Sequence, residues 1–163
     1  MQIRHELTYD APPEDVRAML ADPAFRAKVC EAMDVSGQDV SIDPAGARPG
    51  EEMRVRIDMQ QRTQGLPGFA RRIVGDRTRV IQSEHWQGHE ADLQVAIPGK
   101  PGDISGHISL SPTGAGTTES FEGRATIRVP LVGGRLEGLI HKLFIAGMDT
   151  EQAVGRRWLA GER

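Results

Sequence analysis

The feature that most constrains the fold is a run of alternating segments between about residue 38 and residue 129. In each segment apolar and polar residues alternate, as they do in a strand with one buried face. The clearest example is residues 53–59, with the sequence MRVRIDM. Turn sequences rich in glycine and proline separate the segments, for example at 98–102 and 112–116. Because connections this short join antiparallel neighbours, the run predicts a meander of about six strands.

Residues on the N-terminal side of the meander predict one more strand and two short helices. Residues 3–9 alternate, which places Ile3, His5, Leu7 and Tyr9 on one face. Prolines and acids at 10–15 then suit the first turn of a helix. Asp22 is suited to cap a second helix that continues through Phe25, Val29 and Met33.

After Gly133 and Gly134 the apolar period changes from that of a strand to that of a helix. One stripe extends over about 25 residues, through Leu136, Ile140, Leu143, Gly147, Thr150, Val154 and Trp158. An apolar helix stripe and an apolar sheet face must cover each other, which predicts a two-layer α+β fold. Gly147 and Thr150 leave space in the middle of the stripe. That space is either a close backbone contact or the wall of a cavity.

Composition and charge exclude several classes of protein. The chain has 163 residues with 19 glycines and 10 prolines, which predicts one turn-rich domain spanning residues 1–163. A net charge of -3 and the scarcity of basic clusters argue against nucleic-acid binding. No apolar run is long enough to span a membrane, and the N-terminus lacks a signal-peptide core, so a cytoplasmic location is expected. The oligomeric state is left open.

No sequence motif indicates a cofactor or a metal. Cys30 is the single cysteine, which excludes an intrachain disulfide and a multi-thiolate metal site and leaves a packing role. His85 and His89 are separated by a turn, so the helical spacing of paired metal ligands is absent. The stretch Gly99-Lys100 lacks the pattern of a phosphate-binding loop, because Pro101 removes a backbone donor. We therefore expect no cofactor and no metal.

Several stretches resemble a bacterial family of domains of unknown function. That family lies within the START-like superfamily, also called SRPBCC, which includes birch-pollen-allergen relatives, lipid-transfer domains and polyketide cyclases. The similarity extends from about residue 2 to Gly161. The stretches that carry it are His5 to Pro13, Ala21 to Arg26, Gly65 to Arg71, Ile97 to Gly102, and Val129 to Gly134 followed by Leu136-Glu137.

The resemblance implies a helix-grip fold. In this fold a curved antiparallel sheet of about seven strands wraps around a long C-terminal helix, and two short helices follow strand 1. It also implies a cavity between the sheet and that helix, which in the superfamily holds a lipid, sterol or polyketide-like ligand. The order of elements predicted from the residues agrees with this fold. The leading hypothesis is therefore binding or transport of a small hydrophobic molecule.

Large apolar residues on the inner faces are the candidates for lining such a cavity. The segment 64–69 carries two of them in a predicted loop, where they would pack or guard an opening. The candidate ligand-binding residues are Phe25, Leu66, Phe69, Trp86, Leu93, Val95, Phe121, Ile140, Leu143, Phe144, Gly147 and Met148.

Two other functions remain open at this stage. A cyclase or hydratase would need proton transfer, for which the candidates are His5 with Tyr9 or with an inward carboxylate such as Glu84. No catalytic motif of the family can be transferred position by position. The third possibility is a protein-interaction module without a ligand, using the Leu66 to Arg72 segment or the terminal helix.

Overall fold

Seven strands form one antiparallel sheet in the computed structural model, which describes residues 1–163. Four helices accompany the sheet, and the longest of them ends the chain. The elements are β1 (Gln2–Tyr9), α1 (Pro13–Leu20), α2 (Pro23–Ala32), β2 (Gly37–Asp43), β3 (Met53–Arg62), α3 (Gly68–Val74), β4 (Arg77–Gln87), β5 (Glu90–Ala96), β6 (Gly102–Thr113), β7 (Gly116–Ile127) and α4 (Gly133–Leu159). The helix-grip prediction is confirmed.

The sheet is a meander from β2 to β7, with β1 added at the far edge beside β7. Every neighbouring pair is antiparallel, as the short connections predict. Gly88 and Gly114 lie in two of the tight turns with φ of 63° and 59°, a conformation that favours glycine. In β3 the alternation is complete, since Met53, Val55, Ile57 and Met59 are all buried.

Helices α1 and α2 cover one end of the sheet and contact the C-terminal part of α4. The Phe25 ring meets the Trp158 ring edge-on, with centroids 5.6 Å apart. Gly155 of α4 lies directly against β1, because a Cβ atom there would be 2.7 Å from Tyr9 Cε1. Glycine is thus required at this crossing, which fixes the C-terminal end of α4 against the sheet.

Two boundaries differ from those that the sequence predicts. The predicted loop at 64–69 ends in a helix, α3, whose seven residues are too few to show a helical period. Gly75 follows this helix with φ of 83°, which is a common way for a helix to end. Strand β7 begins at Gly116, earlier than the Phe121 at which strand signals are clear, because its first two inward positions are the polar residues Thr117 and Glu119.

Candidate functional site

A cavity of about 230 Å³ lies between the concave face of the sheet and α4. Its wall comprises 34 residues, of which 23 are hydrophobic, so an occupant would meet a mainly apolar surface. Exposed Lys100 and half-exposed Leu143 lie on the wall where the cavity reaches solvent. The other end is lined by Arg26 of α2 and Glu84 of β4, which are each 2% exposed, so this end is shut off from solvent.

Nine of the twelve candidate ligand-binding residues lie on the wall of this cavity. Two of them, Phe121 of β7 and Phe144 of α4, pack against each other on this wall, with ring centroids 4.8 Å apart. The nine are Trp86, Leu93, Val95, Phe121, Ile140, Leu143, Phe144, Gly147 and Met148.

The other three candidates lie away from the cavity wall. Phe25 is fully buried and packs on Trp158, so it belongs to the core between α2 and α4. Phe69 is half-buried, and the Arg135 guanidinium lies 4.1 Å from the centre of its ring. Leu66 is half-buried just before α3. Because residues 68–74 are helical, α3 presents Ile73 and Val74 to the cavity in place of Leu66 and Phe69.

The surroundings of Gly147 decide whether the gap in the apolar stripe of α4 is a close backbone contact or the wall of a cavity. A Cβ atom at this position would meet only Met33 Sδ, at an ordinary contact distance of 3.6 Å. Gly147 therefore belongs to the cavity wall, and the close backbone contact occurs two turns later at Gly155. Thr150 uses its hydroxyl within the helix, donating to the Ala146 carbonyl at 2.9 Å.

The closed end of the cavity holds four buried or nearly buried ionisable residues, here called the buried charged cluster: Arg26, Glu84, Glu119 and Glu151. Arg26 and Glu84 are each 2% exposed and form a two-pronged ion pair at 3.0 and 2.7 Å. Such fork-to-carboxylate pairs combine charge with directional hydrogen bonds. Glu151 lies farther from Arg26, at 3.7 Å from Nη1.

Glu84 has a complete set of hydrogen-bond donors. Besides Arg26, the Trp86 indole N–H donates to Oε2 and the Gln82 amide donates to Oε1, both at 2.7 Å. Burial alone would raise the pKa of Glu84, but the Arg26 charge and these donors outweigh it and hold the pKa below its usual value. Glu84 is therefore an ionised, structural carboxylate.

Glu119 and Glu151 differ from Glu84, because their surroundings raise the pKa of the carboxyl group. Burial raises the pKa of Glu119 well above its usual value, and the neighbouring Glu151 and Glu84 charges add to this effect. Burial likewise raises the pKa of Glu151 to about 7, with Arg26 opposing it. Neither Glu119 Oε2 nor the Tyr9 hydroxyl has a partner at hydrogen-bonding geometry, although burial and the nearby Glu119 both raise the Tyr9 pKa.

The raised pKa of Glu151 predicts that stability falls as the pH rises. Between the ordinary value of 4.5 and about 7, the folded protein keeps a proton that the unfolded chain has released. Raising the pH therefore favours unfolding in this window. We expect Glu151→Gln to reduce the decline in unfolding free energy between pH 5 and pH 7, measured by urea denaturation. Glu122→Gln, on the exposed face of β7, is the control, and equal slopes in the two variants would contradict the assignment.

The structure does not bring the candidate proton-transfer residues together. His5 shares a face with Ile3, Leu7 and Tyr9 as predicted, but its ring contacts Asp149 at 2.7 Å, outside the cavity wall. Glu84 is committed to Arg26, and Tyr9 lies beside Glu119. The pairs His5 with Tyr9 and His5 with Glu84 are thus not formed.

Sequence reasoning missed three members of the buried charged cluster. Glu119 precedes inward-facing Phe121 by two residues, which in a strand places it on the same face. Glu151 follows Gly147 by four residues, which in a helix also places it on the same face. Both spacings were available in the sequence, whereas the inward position of Arg26 depends on its distant partner Glu84.

Cys30 is buried and forms part of the cavity wall, where burial raises the pKa of its thiol. Among the His, Cys, Asp and Glu residues, no group of three or more is arranged to hold a metal ion. None of the helices is both long and apolar enough to cross a membrane.

Several solved structures are similar to this protein over nearly the whole length of the chain. TTHA0849 from Thermus thermophilus has a TM-score of 0.64 and 21% identity, with 100% of both chains covered. A truncated norcoclaurine synthase from Thalictrum flavum has a TM-score of 0.63 and 14% identity over 100% of this chain and 95% of its own. Ara h 8.0201 has a TM-score of 0.56 and 11% identity over 94% of this chain and 97% of its own. At identities of 11 to 21%, these similarities show the fold alone, which is the helix-grip fold.

A family model identifies the family of this chain from its sequence. Residues 4–159 match the family described as "Protein of unknown function (DUF2505)", and the chain belongs to it. No curated protein is similar enough in sequence to count as a relative.

Proposed function

We propose that this protein binds a small hydrophobic molecule, of the lipid, sterol or polyketide-like class, in the cavity between the sheet and α4, and that residues 1–163 act as one binding domain. The observation that carries this proposal is the cavity itself, with 23 hydrophobic residues among the 34 that line it. Cores of ordinary proteins are filled to crystal-like density, so an apolar space of about 230 Å³ is unusual unless something occupies it.

Apolar burial supplies enough free energy for this function. Each buried CH₂ group contributes about 0.8 kcal/mol, so a chain of about eight carbons gains about 6 kcal/mol before the cost of immobilising the ligand. Polar groups at the two ends of the cavity can then fix the orientation of the ligand. Transport also requires that the ligand enters and leaves the cavity. Exposed Lys100 and Leu143 on the wall provide a side at which the cavity reaches solvent.

The alternatives receive less support from the geometry. A cyclase or hydratase based on His5 is disfavoured because His5 contacts Asp149 outside the cavity wall. An interaction module based on the Leu66 to Arg72 segment is disfavoured because Phe69 is engaged by Arg135 and residues 73 and 74 contribute to the cavity.

The test is ligand binding and its loss when the cavity is filled. Native mass spectrometry should show a co-purified small molecule, and thermal-shift screening against fatty acids, sterols and polyketides should show stabilisation by at least one class. Gly147→Met places a side chain in the cavity and should abolish the shift, since a Cβ atom there faces the cavity and Met33.

Ala146→Met adds the same side chain one residue away, on the exposed face of α4, and should leave binding unchanged. A panel without any shift and a purified protein without any bound mass would contradict the proposal. Equal binding by the two variants would place the ligand elsewhere on the protein.

A further inference from the structure

The buried charged cluster contains three carboxyl groups and only one guanidinium group. The Arg26 guanidinium is already committed, since Nε donates to the Leu20 carbonyl at 2.9 Å and both terminal nitrogens donate to Glu84. Glu84 in turn accepts from Trp86 and Gln82. The Arg26–Glu84 pair is thus complete by itself and leaves Glu119 and Glu151 without a cation of their own.

Glu119 is the more isolated of these two carboxyl groups. It is 2% exposed and lies on the cavity wall, and its Oε2 has no hydrogen-bond partner. Glu151 lies on the same wall, with only the distant contact to Arg26 Nη1 at 3.7 Å. Buried polar atoms are almost always hydrogen-bonded in folded proteins. The Tyr9 hydroxyl lies beside Glu119 as a donor, but it carries no positive charge, so the two carboxyl groups on the cavity wall still lack a cation.

We infer that the closed end of the cavity binds the ammonium group of a hydrophobic amine, with Glu119 and Glu151 as its acceptors. The inference rests on the ligand-binding function proposed above and specifies the chemical class of the ligand. An alkylammonium group brings both elements that the site lacks, a positive charge and three N–H donors. A fatty-acid carboxylate at this end would face the two surplus carboxyl groups, with no free arginine or lysine. Lys100 lies at the other end of the cavity.

Amine binding is coupled to loss of a proton from the cluster. Burial raises the pKa of Glu151 to about 7 and raises that of Glu119 well above its usual value, and a bound cation favours the ionised carboxylates. An alkylamine stays protonated up to a pH of about 10. Amine affinity should therefore increase as the pH rises from about 6 to about 8. The groups that face the site are Glu119 of β7, Glu151 of α4, Glu84 of β4, Arg26 and the Cys30 thiol of α2, Tyr9 of β1 and, beyond Trp86, Arg17 of α1.

The experiment compares three ligands of equal chain length, namely octylamine, octan-1-ol and octanoate, by isothermal titration calorimetry at pH 6 and pH 8. We expect octylamine to bind about tenfold more tightly than octan-1-ol at pH 8, which corresponds to about 1.4 kcal/mol. The preference should shrink at pH 6, and octanoate should bind most weakly. Octan-1-ol affinity should not depend on pH.

Three variants test whether the two glutamates cause the preference. The double variant Glu119→Gln, Glu151→Gln should bind octylamine and octan-1-ol with equal affinity, and Glu151→Gln alone should reduce the dependence on pH. Because each substitution removes a buried acid, the folded state should survive, which thermal unfolding verifies. Glu122→Gln removes a charge from the exposed face of β7 and should leave the preference unchanged.

Equal affinities for amine and alcohol in the unmodified protein would overturn this inference while leaving the ligand-binding function intact. So would tighter binding of octanoate, or an amine preference that survives in the double variant. If none of the three ligands binds, the inference fails, whereas the ligand-binding function is decided by the wider thermal-shift panel described above.

Discussion

Replacing Arg26 with methionine is expected to lower the free energy of unfolding by about 3 to 5 kcal/mol, the usual cost of removing one partner from a buried ion pair. The loss is large because Glu84 would remain ionisable and 2% exposed with both of its charged donors gone. Glu151 would also lose its only nearby cation. Total stabilities of domains are about 5 to 15 kcal/mol, so the variant would be severely destabilised in urea denaturation.

The exposed pair Arg79–Asp58 provides the matched control. Its members are 47% and 21% exposed and form a multidentate contact on the outer face of the sheet. Arg79→Met removes the same side chain and charge but leaves Asp58 to water, so its effect should be far smaller. The double variant Arg26→Met, Glu84→Gln should regain part of the lost stability, because the orphaned charge is removed. Equal losses for Arg26→Met and Arg79→Met would show that Arg26 has no special role.

Replacing Phe25 with alanine is expected to cost about 3 to 5 kcal/mol, as for other fully buried aromatic residues. Phe25 has no exposed surface and packs edge-on against Trp158, so its removal opens a gap between α2 and α4. Ligand affinity should change little, because Phe25 lies outside the cavity wall. Urea denaturation measures the first effect, and calorimetry with octan-1-ol measures the second.

Phe144→Ala is the companion substitution, because this half-buried residue lies on the cavity wall and meets Phe121. It should cost less stability than Phe25→Ala and alter ligand affinity more. The opposite order, with ligand binding lost in Phe25→Ala and stability nearly unchanged, would assign Phe25 to the binding site.

The sequence predicts most of the fold because alternation and helical spacing are local properties. In β3 each residue from Met53 to Met59 has the face that its position in the pattern predicts. The same patterns identify nine wall residues, since a position on the inner face of the sheet or helix is most of what a cavity wall requires. Short elements such as α3 are not predicted, because seven residues complete fewer than two helical turns and show no clear period.

The buried charged cluster could not be assembled from local patterns. Arg26 and Glu84 are 58 residues apart, and only the packing of α2 over the end of the sheet brings them together. Helical spacing likewise places Phe25 on the inner face of α2 without saying whether that face meets the cavity or another helix. The distinction between core and cavity wall depends on how the elements are arranged in three dimensions, which periodicity does not encode.

The way in which α4 is held has a consequence for the helix itself. Its buried residues are Leu136 at one end and Val154, Gly155 and Trp158 at the other. The 18 steps from Leu136 to Val154 extend about 27 Å at 1.5 Å per residue, and no residue between these two is buried. This span crosses the cavity, and α4 is buried only at its two ends. Its helicity depends strongly on the intrinsic propensities of residues such as Leu139, Lys142 and Ala146, since the cavity replaces much of the core that would otherwise support the span.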